Sequence, residues 1–239
     1  MFAKFKWIWA AILILAGACQ PQYANLPDKT PEIWRMQMPD SLSWLGPKLN
    51  VCTQQQSDVA LIIEARPQSE PVSDTADMIL RWGDPPAEDQ NTWFQIGEDN
   101  LVIITHPDNP LSEITADQLQ RIFTGQIRSW SEIGEYTEGI FAVDLPAGNE
   151  IHQAFSASLG EKPSLSPGAQ IAADAVTMRQ AVAAQPGAIG YLPARWLDDS
   201  VKKLPVIDSR QPRRITFPVL IRFVKPPNPA QQTWLDCLQ

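Results

Sequence analysis

Residues 114–134, ITADQLQRIFTGQIRSWSEIG, constrain the fold more than any other stretch of this chain. Thr115, followed three positions later by Gln118, is a capping-box start that satisfies free N–H groups at a helix N-terminus. Ile114, Leu119, Ile122 and Phe123 then recur at helical spacing, which predicts one apolar face turned to a core. Gly125 stops that helix, and Ser129-Trp130-Ser131-Glu132 opens a second short turn around a tryptophan. Just upstream, residues 101–105 (LVIIT) read as a buried strand that breaks at the polar, proline-flanked His106-Pro107-Asp108-Asn109-Pro110. A buried strand, a proline turn and a capped amphipathic helix are the parts of an α/β fold.

The same alternation runs along the rest of the chain. Residues 33–38 predict a first strand, ended by Pro39-Asp40-Ser41. A helix carrying Leu42, Leu45, Leu49 and Cys52 follows, with Pro47 marking either a late start or a kink. Residues 58–64 (DVALIIE) read as a buried strand, and residues 76–80 as another that runs into Arg81-Trp82-Gly83-Asp84-Pro85. After the organising helix come a strand over 139–143, a turn through Leu145, Gly148 and Asn149, and a helix over 151–159. Asn149 is suited to cap that helix. A helix over 174–184 ends at Pro186-Gly187 and is followed by a strand over 188–192, AIGYL. Gly190 there allows close backbone approach. Residues 204–207 and 215–223 predict two more strands, and residues 231–238 a closing helix with Trp234, Leu235 and Leu238 inward.

The strand, the Asn-Pro turn, the pattern through Ile114, Thr115 and Gln118-Leu119, and then Ile122-Phe123, Gly125, Ile127 and Trp130 together resemble the phosphate-type solute-binding proteins of ABC transporters. Gly187-Ala188-Ile189-Gly190-Tyr191 is similar to a second stretch of that family, where the chain crosses back between lobes. The resemblance implies an α/β, two-lobed fold of the type 2 periplasmic-binding-protein kind, with two crossover strands and a ligand cleft between the lobes. It places lobe 1 at 33–105 and 192–239 and lobe 2 at 106–191. It further implies a monomer without cofactor that takes a small polar solute, an oxyanion or similar, and docks on a membrane permease.

Ligand contacts are expected from three loops. Ser41 and Ser43 open the first helix, where free N–H groups favour an anion, although Ser41 serves equally well as a plain N-cap. Arg81 offers a bidentate fork to an oxyanion, or is a surface arginine beside Trp82. Gly148, Asn149 and Glu150 occupy the position of the family's main phosphate loop. Here the chain departs from the pattern: Leu145 stands where an arginine is expected, and Asn149-Glu150-Ile151 replaces Ser-Gly-Thr. Glu150 brings a like charge to a place where an anion needs donors, which makes orthodox phosphate recognition unfavourable.

The amino terminus reads as a targeting segment. Lys4 and Lys6 precede an apolar core over residues 7–16, and Ala16-Gly17-Ala18-Cys19 ends it. This resembles a bacterial lipoprotein signal over 1–19, with Cys19 lipidated, although Ala16 stands where leucine is preferred; plain secretion is the alternative. The apolar run is too short to span a bilayer. Residues 20–32 are a proline-punctuated tether. Export leaves Cys52 and Cys237 as an even pair in an oxidising compartment, bonded or as two buried thiols. A bond requires both to lie in one lobe, as the family topology implies. A net charge of −8 argues against nucleic acid as partner, and two well-separated histidines give no metal-ligand pattern.

Two readings compete with solute uptake. One is an accessory or sensor envelope lipoprotein that kept the fold and lost phosphate binding. The other is an enzyme using His152 and Ser156, which lie one helical turn apart. That pair lacks a recognisable orienting group and oxyanion hole. The chain therefore reads as non-catalytic, with His152 a surface helix residue.

Overall fold

In the computed structural model, residues 30–85, 92–160, 168–207 and 216–239 are described. Cys19, its targeting segment and the tether before Thr30 lie outside them. In chain order the elements are β1 (Glu32–Met38), α1 (Gly46–Gln54), β2 (Val59–Ala65), β3 (Met78–Trp82), β4 (Trp93–Thr105), β5 (Ile114–Thr115), α2 (Ala116–Phe123) and β6 (Phe141–Asp144). Then follow α3 (Glu150–Ser158), β7 (Gln170–Ile171), α4 (Ala175–Ala184), β8 (Ala188–Pro193), β9 (Lys202–Leu204), β10 (Val206–Ile207), β11 (Thr216–Phe223) and α5 (Pro229–Leu238).

One mixed sheet runs β2-β1-β3-β11-β4-β8-β6-β7, with β9 added on β4. β4 organises it. Its first part, Trp93 to Asn100, pairs antiparallel with β11, and its second part, Leu101 to Thr105, pairs antiparallel with β8. A single strand thus belongs to both halves of the sheet. β5 and β10 form a separate two-stranded ribbon.

On the β1 side, α1 and α5 cover one sheet face. Leu42, Leu45, Leu49 and Cys52 are buried there with Trp234, Leu235 and Leu238. A short 3₁₀ turn over Asp40–Leu45 precedes α1, and Pro47 falls in the first turn of the helix, where its missing N–H costs nothing. Cys52 of α1 and Cys237 of α5 are joined by a disulfide with Cα atoms 5.8 Å apart. β2 departs from expectation. It is an edge strand, with Ile62 and Ile63 each 38% exposed, because its apolar run lacks a partner strand on one side. β3 (Met78–Trp82) both begins and ends two residues later than the sequence suggests, so Arg81 and Trp82 sit inside the strand.

The organising stretch forms as read. Thr115 Oγ1 accepts from the Gln118 N–H at 3.2 Å, and Gln118 Oε1 accepts from the Thr115 N–H at 2.9 Å. Gly125 takes a positive φ of 73° after α2, and Ser129 and Glu132 make a second capping box. The two stretches that carry the family resemblance touch each other. The buried Trp130 indole donates to the Gly187 carbonyl at 2.9 Å, and Phe123 meets Tyr191 edge to face at 5.8 Å. Gly187 is there for space: a Cβ would lie 2.0 Å from the Gly139 carbonyl oxygen. Gly190 faces α4 in the same way, with Met178 and Val182 atoms 3.0–3.1 Å from where its Cβ would be.

Candidate functional site

Three helical N-termini from the two halves of the sheet meet at one cavity of about 280 Å³. Asp40, Ser41 and Ser43 come from the 3₁₀ turn after β1. Asn149 and Glu150 come from the start of α3, and Asp174 from the start of α4. Each turn follows a strand, so each helix points its free N–H groups and its partial positive charge toward the strand ends. Asn149 caps α3, its Oδ1 accepting from the N–H groups of Ile151 at 2.9 Å and His152 at 3.4 Å. Asp174 caps α4 through the Thr177 N–H at 2.7 Å.

Ser41 is not an N-cap, because Pro39 holds that position without a side-chain bond. Instead the Ser41 hydroxyl donates across the cavity to the Glu150 carboxylate. Trp196 adds a second tie, its indole N–H reaching the Ser41 carbonyl at 3.4 Å. Glu150 is only 5% exposed. Burial pushes its carboxyl above the usual range, Asp40 pushes it further, and Ser41, its own backbone N–H and Arg81 pull it back.

The expected ligand residues separate into two groups. Ser41, Ser43, Asn149 and Glu150 line the cavity. Gly148 does not; it lies against Ser69, whose Oγ would be 3.1 Å from an added Cβ. Arg81 lines a neighbouring cavity of about 200 Å³ with Arg66 and Arg222, and Pro39 belongs to both walls. Its Nε donates to the Asp84 carbonyl at 2.5 Å, and burial lowers its pKa against the opposing pull of Glu150 and Asp84. Leu145, where an arginine was expected, is fully buried. The cavity therefore carries three carboxylates, Asp40, Glu150 and Asp174, while Arg81 stands behind its wall. Asp174 was legible as a helix start but not as a cavity wall, and Trp196 gave no sequence signal.

His152 is not a surface residue as the sequence suggested, but buried. Its Nδ1 lies 3.0 Å from Asp144 Oδ1 and its Nε2 lies 3.3 Å from Ser156 Oγ. Asp144 is the orienting group that the sequence did not reveal. The same Asp144 oxygen accepts from the Leu145 N–H at 2.8 Å and from the Tyr191 hydroxyl. Burial and Asp144 both push the Tyr191 hydroxyl far up, so it stays protonated and donates. Phe155 stacks on Tyr191 with centroids 3.8 Å apart. Ser156 sits inside α3, where its N–H is committed to the helix, and the cavity is lined by Glu150 and Ile151 rather than by His152 or Ser156. The network pins the start of α3 to β6 and β8.

A sheet curled through a shared strand, with a cavity at converging helix starts between two lobes, is the architecture of a two-lobed periplasmic binding protein. A family model described as "PBP superfamily domain" matches residues 87–214, more than half of the chain, and the chain belongs to that superfamily. It is similar to the phosphate-binding protein PstS of Bacillus subtilis (strain 168), at 29% identity over 119 residues. That match covers 49% of this chain and 39% of PstS, so the chain spans about two fifths of the length of this curated relative. Among solved structures, one from Clostridium perfringens with bound phosphate, assigned as a phosphate ABC transporter substrate-binding protein, superposes with a TM-score of 0.74 at 21% identity. It matches 87% of this chain and 93% of that one. An ABC-type phosphate transport receptor from Vibrio cholerae gives 0.70 at 20% identity, over 86% and 93%.

Proposed function

We propose that this chain is an extracytoplasmic solute-binding protein of a phosphate-type ABC uptake system. It is lipid-anchored through Cys19 and takes a small polar solute between lobe 1 (33–105 and 192–239) and lobe 2 (106–191). The observation that supports this most is the cavity of about 280 Å³ walled by helix starts from both halves of the sheet. Ser41, Ser43 and Asn149 supply its neutral hydrogen-bonding groups. The PstS relative supports an anion-related solute, and the permease is the partner that such a receptor serves. No step of this reading needs catalysis.

The test is a thermal-shift titration of the full chain in detergent against phosphate, sulfate, molybdate, phosphonates, nucleotides, organic acids and sugars. At a hundredfold excess over its dissociation constant, a true ligand stabilises by about 2.7 kcal/mol. For a chain of this size that is a shift of roughly 5–10 °C. A flat response across the panel would overturn uptake of these solutes.

The second reading, an accessory or sensor lipoprotein that kept the fold and lost phosphate binding, is favoured by one observation. The Ser41 hydroxyl already has an acceptor, the Glu150 carboxylate. A flat panel combined with retrieval of an envelope protein partner would support it.

A further inference from the structure

α3 is nine residues long, and its first turn faces the cavity. Asn149 takes two of its N–H groups. The Glu150 carboxylate accepts the Ser41 hydroxyl from the opposite wall, 109 residues away in sequence. We propose that Glu150 is the built-in occupant of the cleft: its carboxylate fills the seat that the anionic group of a solute would take, ties the two walls together without solute, and sets the cavity against small oxyanions. This rests on the reading of the cavity as a solute seat.

The charge balance supports it. A serine hydroxyl donates one hydrogen bond, and that of Ser41 is spent on Glu150. An entering oxyanion would also meet Asp40 and Asp174 on the same walls. Arg81, whose charge acts on Glu150, lies in the adjoining cavity with its Nε held by the Asp84 carbonyl. Asp40 and Asp174 are solvent-exposed, so the largest cost falls on bringing a like charge against the buried Glu150 carboxylate.

Calorimetric titration of the full chain with inorganic phosphate tests the proposal in three proteins: wild type, Glu150→Ser and Glu150→Gln. Glu150→Ser removes both the charge and the occupant, and should bind phosphate at least about a hundredfold more tightly than wild type. Glu150→Gln removes the charge but leaves a group of the same size in the seat, so its gain should be smaller, about tenfold. Adding Ser41→Ala to Glu150→Ser should abolish most of the gain. If a folded Glu150→Ser gains nothing, or wild type already binds phosphate equally well, the proposal is wrong. Should Glu150→Ser fail to fold, absence of any gain in Glu150→Gln overturns it instead. A solute response in wild type with no gain in the variants would sink this inference and leave the uptake reading standing. A wild type silent to every solute of the panel, with a phosphate gain in the variants, would overturn the uptake reading and leave this inference standing.

Discussion

Two buried carboxylates stand six residues apart and lead different lives. Asp144, at the end of β6, is fully buried and its Oδ1 gathers the Leu145 N–H, the Tyr191 hydroxyl and the His152 ring, all from neighbouring elements on one side of the cavity. Glu150, at the start of α3, is buried almost as deeply, but its side-chain partner Ser41 belongs to the opposite wall. The first carboxylate gathers on Oδ1 donors that fold with it, while its Oδ2 is buried with no hydrogen-bond partner among the described residues. The second has its side-chain donor on the opposite wall, and burial, then Asp40, disfavours its charge. A buried carboxylate held by neighbouring elements stabilises architecture, whereas one held across the cavity couples the two walls.

Asp144→Ala should break this contrast most visibly. It strips His152, Tyr191 and the Leu145 N–H of their shared acceptor, and the expected loss is roughly 3–5 kcal/mol in urea unfolding. A loss no greater than that of Ser41→Ala would erase the distinction between the two sites. Tyr191→Phe removes a single donor from Asp144 and should cost about 1–3 kcal/mol in the same assay.

Glu150→Gln should act in the opposite direction, raising stability at neutral pH by about 1 kcal/mol, because the amide keeps an acceptor for Ser41 without a buried charge. The pH dependence sharpens the point. The folded-state pKa of Glu150 is raised above its ordinary value of 4.5. Its contribution is therefore fully present below that value and is lost as pH rises through the folded value. Melting curves of wild type and Glu150→Gln should coincide in acid and separate as pH rises, with the variant more stable; parallel curves would mean that Glu150 is not strained by its charge.

Local signals carried much of this fold. The capping box at Thr115 and Gln118, the stop at Gly125, the Asn149 cap and the strand at residues 188–192 all depend on neighbours within a few positions, and each formed. What the sequence could not supply was pairing over distance. The Ile62 and Ile63 run looked buried, since nothing local says that a strand will end a sheet. Arg81 fits either an oxyanion fork or a surface arginine by sequence, and its position in β3 places it on the adjoining cavity. Glu150 was recognisable as an acid at a helix start and hostile to anions, but the hydroxyl that holds it lies 109 residues upstream. Asp144 lay only eight residues before His152. Even so, the turn that brings their side chains together starts in a strand and ends in a helix, so no single periodicity reveals it.

The disulfide between α1 and α5 has a consequence for how the chain survives damage. Its two cysteines are 185 residues apart, so the chain between the first helix and the last is one covalent ring, with β2 to β11 on it. Cutting the backbone once anywhere inside that ring opens it without releasing a fragment. A nicked molecule keeps its mass until a reductant reaches Cys52 or Cys237, and only then separates into two pieces.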